Sequence, residues 1–205
     1  MGEVYVLNRF KAIPYTGVVF DTTSQGPYPD LSPFNLGPVQ TYEPSISAAN
    51  LENLWQYCKV YPQHTYQPQD FTKWLDNMAW EPADSYYRWR DDGWRRQRAD
   101  RYPMGKGVKP LYSLWRGTKL GYIDARKKIY APLYASLVLH APTYRYIYDY
   151  YQKGHNIILL DYDAYDYVGM GMTLKDVANN PKRKMGHAFV IAMLLKNELH
   201  SSLRD

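Results

Sequence analysis

The sequence has one cysteine, Cys58, so no internal disulfide can form, and a structural zinc site built on several thiolates is excluded. Its five histidines, at positions 64, 140, 155, 187 and 200, show none of the short paired spacings that metal ligands commonly use, and no metal or cofactor is expected. No apolar run approaches the roughly 20 residues needed to span a bilayer. The start, "MGEVYVLNRF", lacks a basic stretch followed by an apolar one and a cleavage site, so the chain reads as cytoplasmic, with no membrane partner. There is no GxxxxGK[ST] and no GxGxxG between a strand and a helix, and "MGKG" at 104–107 lacks the rest of a phosphate loop. Nucleoside triphosphate hydrolysis is therefore not expected. Phenylalanine is scarce as well, with 5 residues against 22 Tyr and 6 Trp, which suits cores with hydrogen-bonded edges and surfaces on which a flat base can stack.

What is present suits one domain, or one domain with an insertion, since 205 residues can build a real core. "EVYVLNRF" and "TGVVFDT" are short and β-rich, while the Gly- and Pro-rich stretch 24–45 reads as an irregular loop. Ser47 is placed to cap a helix running through Tyr61 and closed by Pro62. Phe71, Trp74, Leu75 and Met78 follow the i, i+3, i+4, i+7 rule and predict a helix over 70–80. "YIDARKKIYAPLYASLVLH" reads as a long helix that Pro132 should kink or divide, and "PTYRYIYDYYQKG" as another that stops at Gly154. "NIILLDY" is the best candidate for a buried strand. Thr173 with Asp176 has the spacing of a capping box, and "KMGHAFVIAMLLKNELH" is apolar enough to be central. Without βαβ alternation, the expectation is an α+β, mainly helical single domain whose few short strands come from both ends of the sequence.

Charge is concentrated in one place. Residues 86–109 hold eight Lys or Arg against three Asp, a net of +5 that equals the formal charge of the whole chain, so the remainder sums to zero. With Trp89 and Trp94 among them, Arg88, Arg90, Arg95, Arg96 and Arg98 offer a nucleic-acid contact. The plainer reading is a solvated connection whose guanidiniums pair with nearby carboxylates.

"NLENLWQYCKV" at 50–60 carries the chemistry. Leu51, Leu54, Trp55 and Cys58 form a buried seam, and on a helix turning about 100° per residue Glu52, Gln56 and Lys59 form a polar stripe beside it. A helix at a pocket rim would present that stripe inward; a half-exposed helix edge would carry it for solubility.

"ENLWQYCKV" resembles the signature E-H-x-Y-Q-x-x-K-F of the NADAR or YbiA-like family of N-glycosidases, which act on ribosyl and ADP-ribosyl compounds. Glu52, Gln56 and Lys59 fall on its Glu, Gln and Lys, and Trp55 on its aromatic residue. Upstream, "LSPFNLGPV" looks like the family's "LSNFYPSPI". Downstream, "DARKKIYAPLYASLVLHAP" is similar to its "VMxxALxxKF", "YVGMG" to its "WGxG", and "MGHAFVIAMLL" to its "LGxxLMxxR". Pro33, Asn53 and Tyr167 depart from the family's Asn, His and Trp, and the basic Trp/Arg-rich segment at about 82–109 reads as an elaboration. "GKGVKPLYSLW" and "ARKKIYAPLY" also resemble stretches of uncharacterised bacterial and phage proteins.

The resemblance implies a YbiA-like fold over 1–205 and cleavage of a C1′–N bond in a ribosyl, nucleotide or ADP-ribosyl substrate, including an ADP-ribosylated or modified nucleic-acid base. Such a reaction needs a carboxylate near C1′, a nucleophile and help for the leaving base. Glu52 is the expected carboxylate, and Lys59 the acid, amine nucleophile or phosphate ligand. Gln56 would orient the substrate, with Phe34 and Trp55 as stacking surfaces and Asn35 beside them. A second acid is expected from "LLDYDAYD", with Asp161 first and Asp163 and Asp166 behind it, though loop acids also simply pair with arginines. Lys106 and Arg126 are candidate phosphate ligands. His187, on an apolar face, reads as a satisfied core histidine. The alternatives are a nucleic-acid- or nucleotide-binding protein on the same scaffold without catalysis, and a protein-interaction module.

Overall fold

The structure, a computed structural model, describes residues 2–204 and is an α+β fold. In chain order its strands are β1 (Val4–Asn8), β2 (Val18–Asp21), β3 (Val39–Gln40), β4 (Ser47–Ala48), β5 (Lys59–Val60), β6 (Thr65–Tyr66), β7 (Glu81–Pro82), β8 (Tyr112–Trp115), β9 (Thr118–Leu120) and β10 (Ile157–Asp161). Its α-helices are α1 (Leu51–Tyr57), α2 (Asp84–Arg95), α3 (Tyr122–Ala125), α4 (Ala131–Val138), α5 (Pro142–Gln152), α6 (Leu174–Asn179), α7 (His187–Leu195) and α8 (Leu199–Leu203). Among the described residues, no helix is long and apolar enough to cross a membrane. The chain gathers into two compact units: an outer one from Met1–Leu36 with Arg126–Asp205, and an inserted one, Gly37–Ala125.

The outer unit is built on a parallel sheet of order β1-β10-β2, with Val4 opposite Ile157 and Leu160 opposite Asp21. β10 lies in the middle because "IILL" is apolar on both faces; Ile157, Ile158 and Leu159 are fully buried. Helix α7 packs on β1 and β10 and is apolar around most of its circumference, as a central helix must be. The capping box read at Thr173 and Asp176 starts α6: the Thr173 side chain accepts from the Asp176 N–H, and Asp176 accepts from the Thr173 N–H. The helical stretch at 122–140 is divided, as Pro132 suggested. Pro132 lacks the N–H that would continue the ladder, and a π turn over Arg126–Tyr130 precedes α4.

In the inserted unit β5, β8 and β9 form an antiparallel sheet, and Val60, Tyr112 and Leu114 from it pack with Tyr86 against Trp89 and Leu111. Helix α1 begins later and ends sooner than its periodicity suggested. Asn50 sits in an extended conformation, with φ −150°, and its side chain accepts from the Asn53 N–H, so Asn50 and not Ser47 is the cap. Beyond Cys58 the chain leaves the helix because Lys59 and Val60 pair with Ser113 and Tyr112, and that ladder outweighs local helix preference.

No α-helix forms over 70–80. The Asp70 and Asp76 side chains accept from the N–H groups of Thr72 and Met78, each closing a separate 3₁₀ turn that competes with helical hydrogen bonding. The apolar residues that set the periodicity therefore face water, with Phe71 77% and Leu75 97% exposed. The basic segment differs in the other direction. Its first half is the ordered helix α2, which packs on α1.

Candidate functional site

Helix α1 places its polar side chains in one relay. Gln56 Nε2 donates to Glu52 Oε1 at 2.7 Å, and Lys59 Nζ donates to Gln56 Oε1 at 2.7 Å. The acid and the ammonium thus fix which way the amide faces, since Nε2 can only donate and Oε1 only accept. Glu52 and Gln56 are buried, at 6% and 8% exposure, while Lys59 and Trp55 are half-buried. Although Lys59 has left the helix, its ammonium returns over the Trp55 ring, 4.7 Å from the centroid. The stripe read from the sequence is therefore one hydrogen-bonded chain of carboxylate, amide and ammonium.

Asn53, where the resembled signature has His, is fully buried and holds a turn of the basic segment. Its Nδ2 donates to the carbonyls of Arg96 and Arg98, at 2.7 and 3.0 Å, and its Oδ1 accepts from the Asp100 N–H at 2.8 Å. Asn50 adds a bond to the Gln97 carbonyl, and the Tyr57 hydroxyl donates to Asp100 at 2.7 Å. The same Asp100 oxygen binds Arg96 at 2.9 Å. Burial works against the Asp100 carboxylate, but the Tyr57 and Arg96 bonds outweigh it and hold its pKa below the usual range. Nothing in the sequence marked Asn53 as a clamp; it was legible only as a departure.

The five arginines offered for nucleic acid divide. Arg90 is buried, bonded to Asp91 at 2.7 Å and to the Tyr42 hydroxyl, and lies over the rings of Tyr42, Tyr87 and Trp94. It is part of the core, which corrects its assignment as a nucleic-acid contact. Arg96 is exposed but paired, whereas Arg88, Arg95 and Arg98 are exposed, as is Lys106 on its turn. Of the two sequence readings of this segment, the pairing of guanidiniums with nearby carboxylates is seen at Arg96 with Asp100. Cys58 is fully buried, and burial pushes its thiol up to about 12, which removes it as a thiolate nucleophile.

The remaining candidates belong to the outer unit. Asp161 ends β10 at 3% exposure, with its Oδ2 3.1 Å from His187 Nδ1 and accepting from the Ala188 N–H at 3.3 Å. His187 Nε2 lies 2.7 Å from the Thr22 carbonyl, which can only accept, so Nε2 carries the hydrogen. His187 is satisfied and internal. Gly186 must be glycine beside this pair, because a Cβ there would stand 2.1 Å from Asp161 Oδ2. Asp163 faces Lys184 at 3.5 Å, and Asp166 accepts from the Tyr15 hydroxyl at 2.7 Å.

Arg126, expected to bind phosphate, is 2% exposed and donates to the carbonyls of Val177, Ala178, Asn180 and Arg183 at 2.9–3.3 Å, closing the end of α6. Tyr167, in the family's Trp position, donates to the Val4 carbonyl at 2.8 Å. Phe34 is half-buried, and the Asn35 side chain donates to the Pro29 carbonyl at 3.0 Å. Glu52, Trp55, Gln56, Lys59 and Lys106 thus belong to the inserted unit, and Phe34, Asn35, Arg126 and the three aspartates to the outer one.

Among the described residues, no group of three or more His, Cys, Asp or Glu is arranged to hold a metal ion. Comparison with protein-family models, with curated proteins and with solved structures gives no match for this chain.

Proposed function

We propose that this chain is an N-glycosidase of the NADAR, YbiA-like kind, hydrolysing a C1′–N bond in a ribosyl, nucleotide or ADP-ribosyl substrate, which includes an ADP-ribosylated or modified nucleic-acid base. The observation that carries this reading is the Glu52–Gln56–Lys59 relay beside the Trp55 ring. A carboxylate held against an amide at 6% exposure sits in a medium where its charge acts strongly on a developing cation.

In the proposed step the C1′–N bond breaks and its electron pair leaves with the base. Glu52 stabilises the oxocarbenium-like sugar and takes a proton from water as the water oxygen bonds to C1′. The leaving nitrogen takes a proton from the Lys59 ammonium, and Trp55 offers a face for the base. The amide of Gln56 keeps the acid and the ammonium apart, so they do not neutralise one another by direct proton transfer.

The test is product analysis by mass spectrometry after incubation with NAD, ADP-ribose, ribosylaminopyrimidine phosphate and ADP-ribosylated nucleic acid. Released base or ribose should fall by roughly 10²–10⁴-fold in Glu52→Gln, which keeps an oxygen for Gln56 but loses the charge. Full activity in that variant would overturn the assignment.

A second reading, a nucleic-acid- or nucleotide-binding protein without catalysis, is favoured by one observation: Arg88, Arg95, Arg98 and Lys106 are exposed in the segment that holds the chain's net charge. On this reading affinity for an oligonucleotide falls steeply with salt, and Arg95→Ala with Arg98→Ala lowers the slope of log K against log salt by about 1.5 to 2. A salt-independent affinity in a filter-binding titration rules phosphate contacts out.

A further inference from the structure

We propose that a cleft at the carboxyl edge of the β1-β10-β2 sheet binds a small anionic molecule with a flat, apolar body. The site does not depend on the Glu52 reading, because all of its residues belong to the outer unit. In open parallel sheets ligands settle beyond the carboxyl ends of the strands, where the chain turns away and leaves a crevice. Here β1 ends at Asn8 opposite Asp161 of β10, and between the two departing segments lies a cleft of about 310 Å³. That volume is at the lower end of small-molecule sites, enough for one ring and its substituent.

The walls set the class of ligand. Leu7, Pro14 and Ala164 line the cleft with apolar surface, and Tyr165 adds an aromatic face. Two cations, Lys11 and Arg183, stand at it, and both are exposed. Among the described residues neither has a carboxylate within ion-pair distance, in contrast to Arg9, Arg90, Arg96, Lys119 and Lys184, which do. The Arg183 guanidinium lies 5.0 Å from the centroid of the Tyr165 ring. A stacked guanidinium keeps its N–H edge open, and that edge matches the paired oxygens of a carboxylate or phosphate.

The one acid at the cleft, Asp166, does not cancel both cations. Its oxygens accept from the Tyr15 hydroxyl at 2.9 and 2.7 Å and from the Gly169 N–H at 2.8 Å, so it is turned to its own loop. The Tyr15 hydroxyl is pushed up to about 12, chiefly by its bond to Asp166, and stays a donor there. A cleft with an apolar wall, an aromatic face and two open cations suits a phosphomonoester or carboxylate carried on a ring.

The experiment is a chemical-shift titration of the labelled full chain with phenyl phosphate, benzoate, phenol and inorganic phosphate. Phenyl phosphate or benzoate should shift the resonances of Lys11, Ala164 and Arg183, with phenol and inorganic phosphate at least about tenfold weaker. The tighter of the two ring anions identifies the head group. Lys11→Ala and Arg183→Ala, which change exposed side chains and should leave the thermal melt in place, should each weaken binding by roughly tenfold. The proposal is overturned by undiminished binding in the double variant, by phenol or inorganic phosphate binding as tightly as phenyl phosphate, or by no shift from any of the four at about 10 mM, a concentration that detects even weak sites.

Discussion

Gly93→Ala is expected to destabilise the inserted unit by about 3 kcal/mol, the upper end of overpacking costs in a closed core. The methyl group would stand 1.9 Å from Cδ1 of Tyr57, well inside contact distance. Tyr57 cannot retreat: it is fully buried, its ring meets Trp89 at 4.6 Å, and its hydroxyl is tied to Asp100 at 2.7 Å. The strain must therefore part α1 from α2, or break the Tyr57–Asp100 bond and free the turn that Asn53 holds. Chemical denaturation followed by tryptophan fluorescence checks this, and a midpoint equal to that of the parent protein would show that the two helices yield more easily than their packing implies. The same variant should lower the activity proposed for Glu52 as the helix that carries it shifts.

Asp161→Ala should cost the outer unit about 3 kcal/mol, the upper end for leaving buried hydrogen-bonding groups without a partner. The loss leaves the Ala188 and Asp163 N–H groups without their acceptor, the first of them inside the fold, where water cannot replace it. Asp161→Asn should fall between Asp161→Ala and the parent protein, because an amide has one oxygen and cannot accept from the Ala188 N–H on one side and the Asp163 N–H on the other. Urea denaturation of the three proteins orders them, and equal midpoints would sink the argument that Asp161 holds α7 to β10. The comparison also separates roles: if Asp161 supplied a second acid to catalysis, Asp161→Asn would lose turnover well beyond its loss of stability.

Much of the architecture was legible from composition and punctuation. The apolar run "IILL" announced the central strand, Thr173 and Asp176 announced the start of α6, and Pro132 announced a break. What the sequence hid was decided at a distance. The ladder from Lys59 and Val60 to β8 ends α1 early, and two aspartate caps turn an apolar period at 71–78 into exposed 3₁₀ turns. The site was legible as residue types and not as relations. The stripe suggested that Glu52, Gln56 and Lys59 belong together, but a helical wheel cannot show an amide bridging acid and ammonium, still less from a lysine outside the helix. Arg90 and Arg126 misled because an arginine in sequence looks the same whether it meets phosphate, aromatic rings or four carbonyls. Gly93 had no signal, since 86–109 read as a charged block and not as a helix, and Lys11 and Arg183 had none either.

The strand order of the outer unit also sets a schedule. β1 and β2 leave the ribosome early, yet the strand that must lie between them ends at Asp161, so neither can complete its ladder until most of the chain has been made. The inserted unit, Gly37–Ala125, has no such wait, since its ladders close within its own span. Synthesis therefore holds two β-rich segments in reserve while the middle of the chain folds, and the late arrival of "NIILLD" is the event that turns them into a sheet.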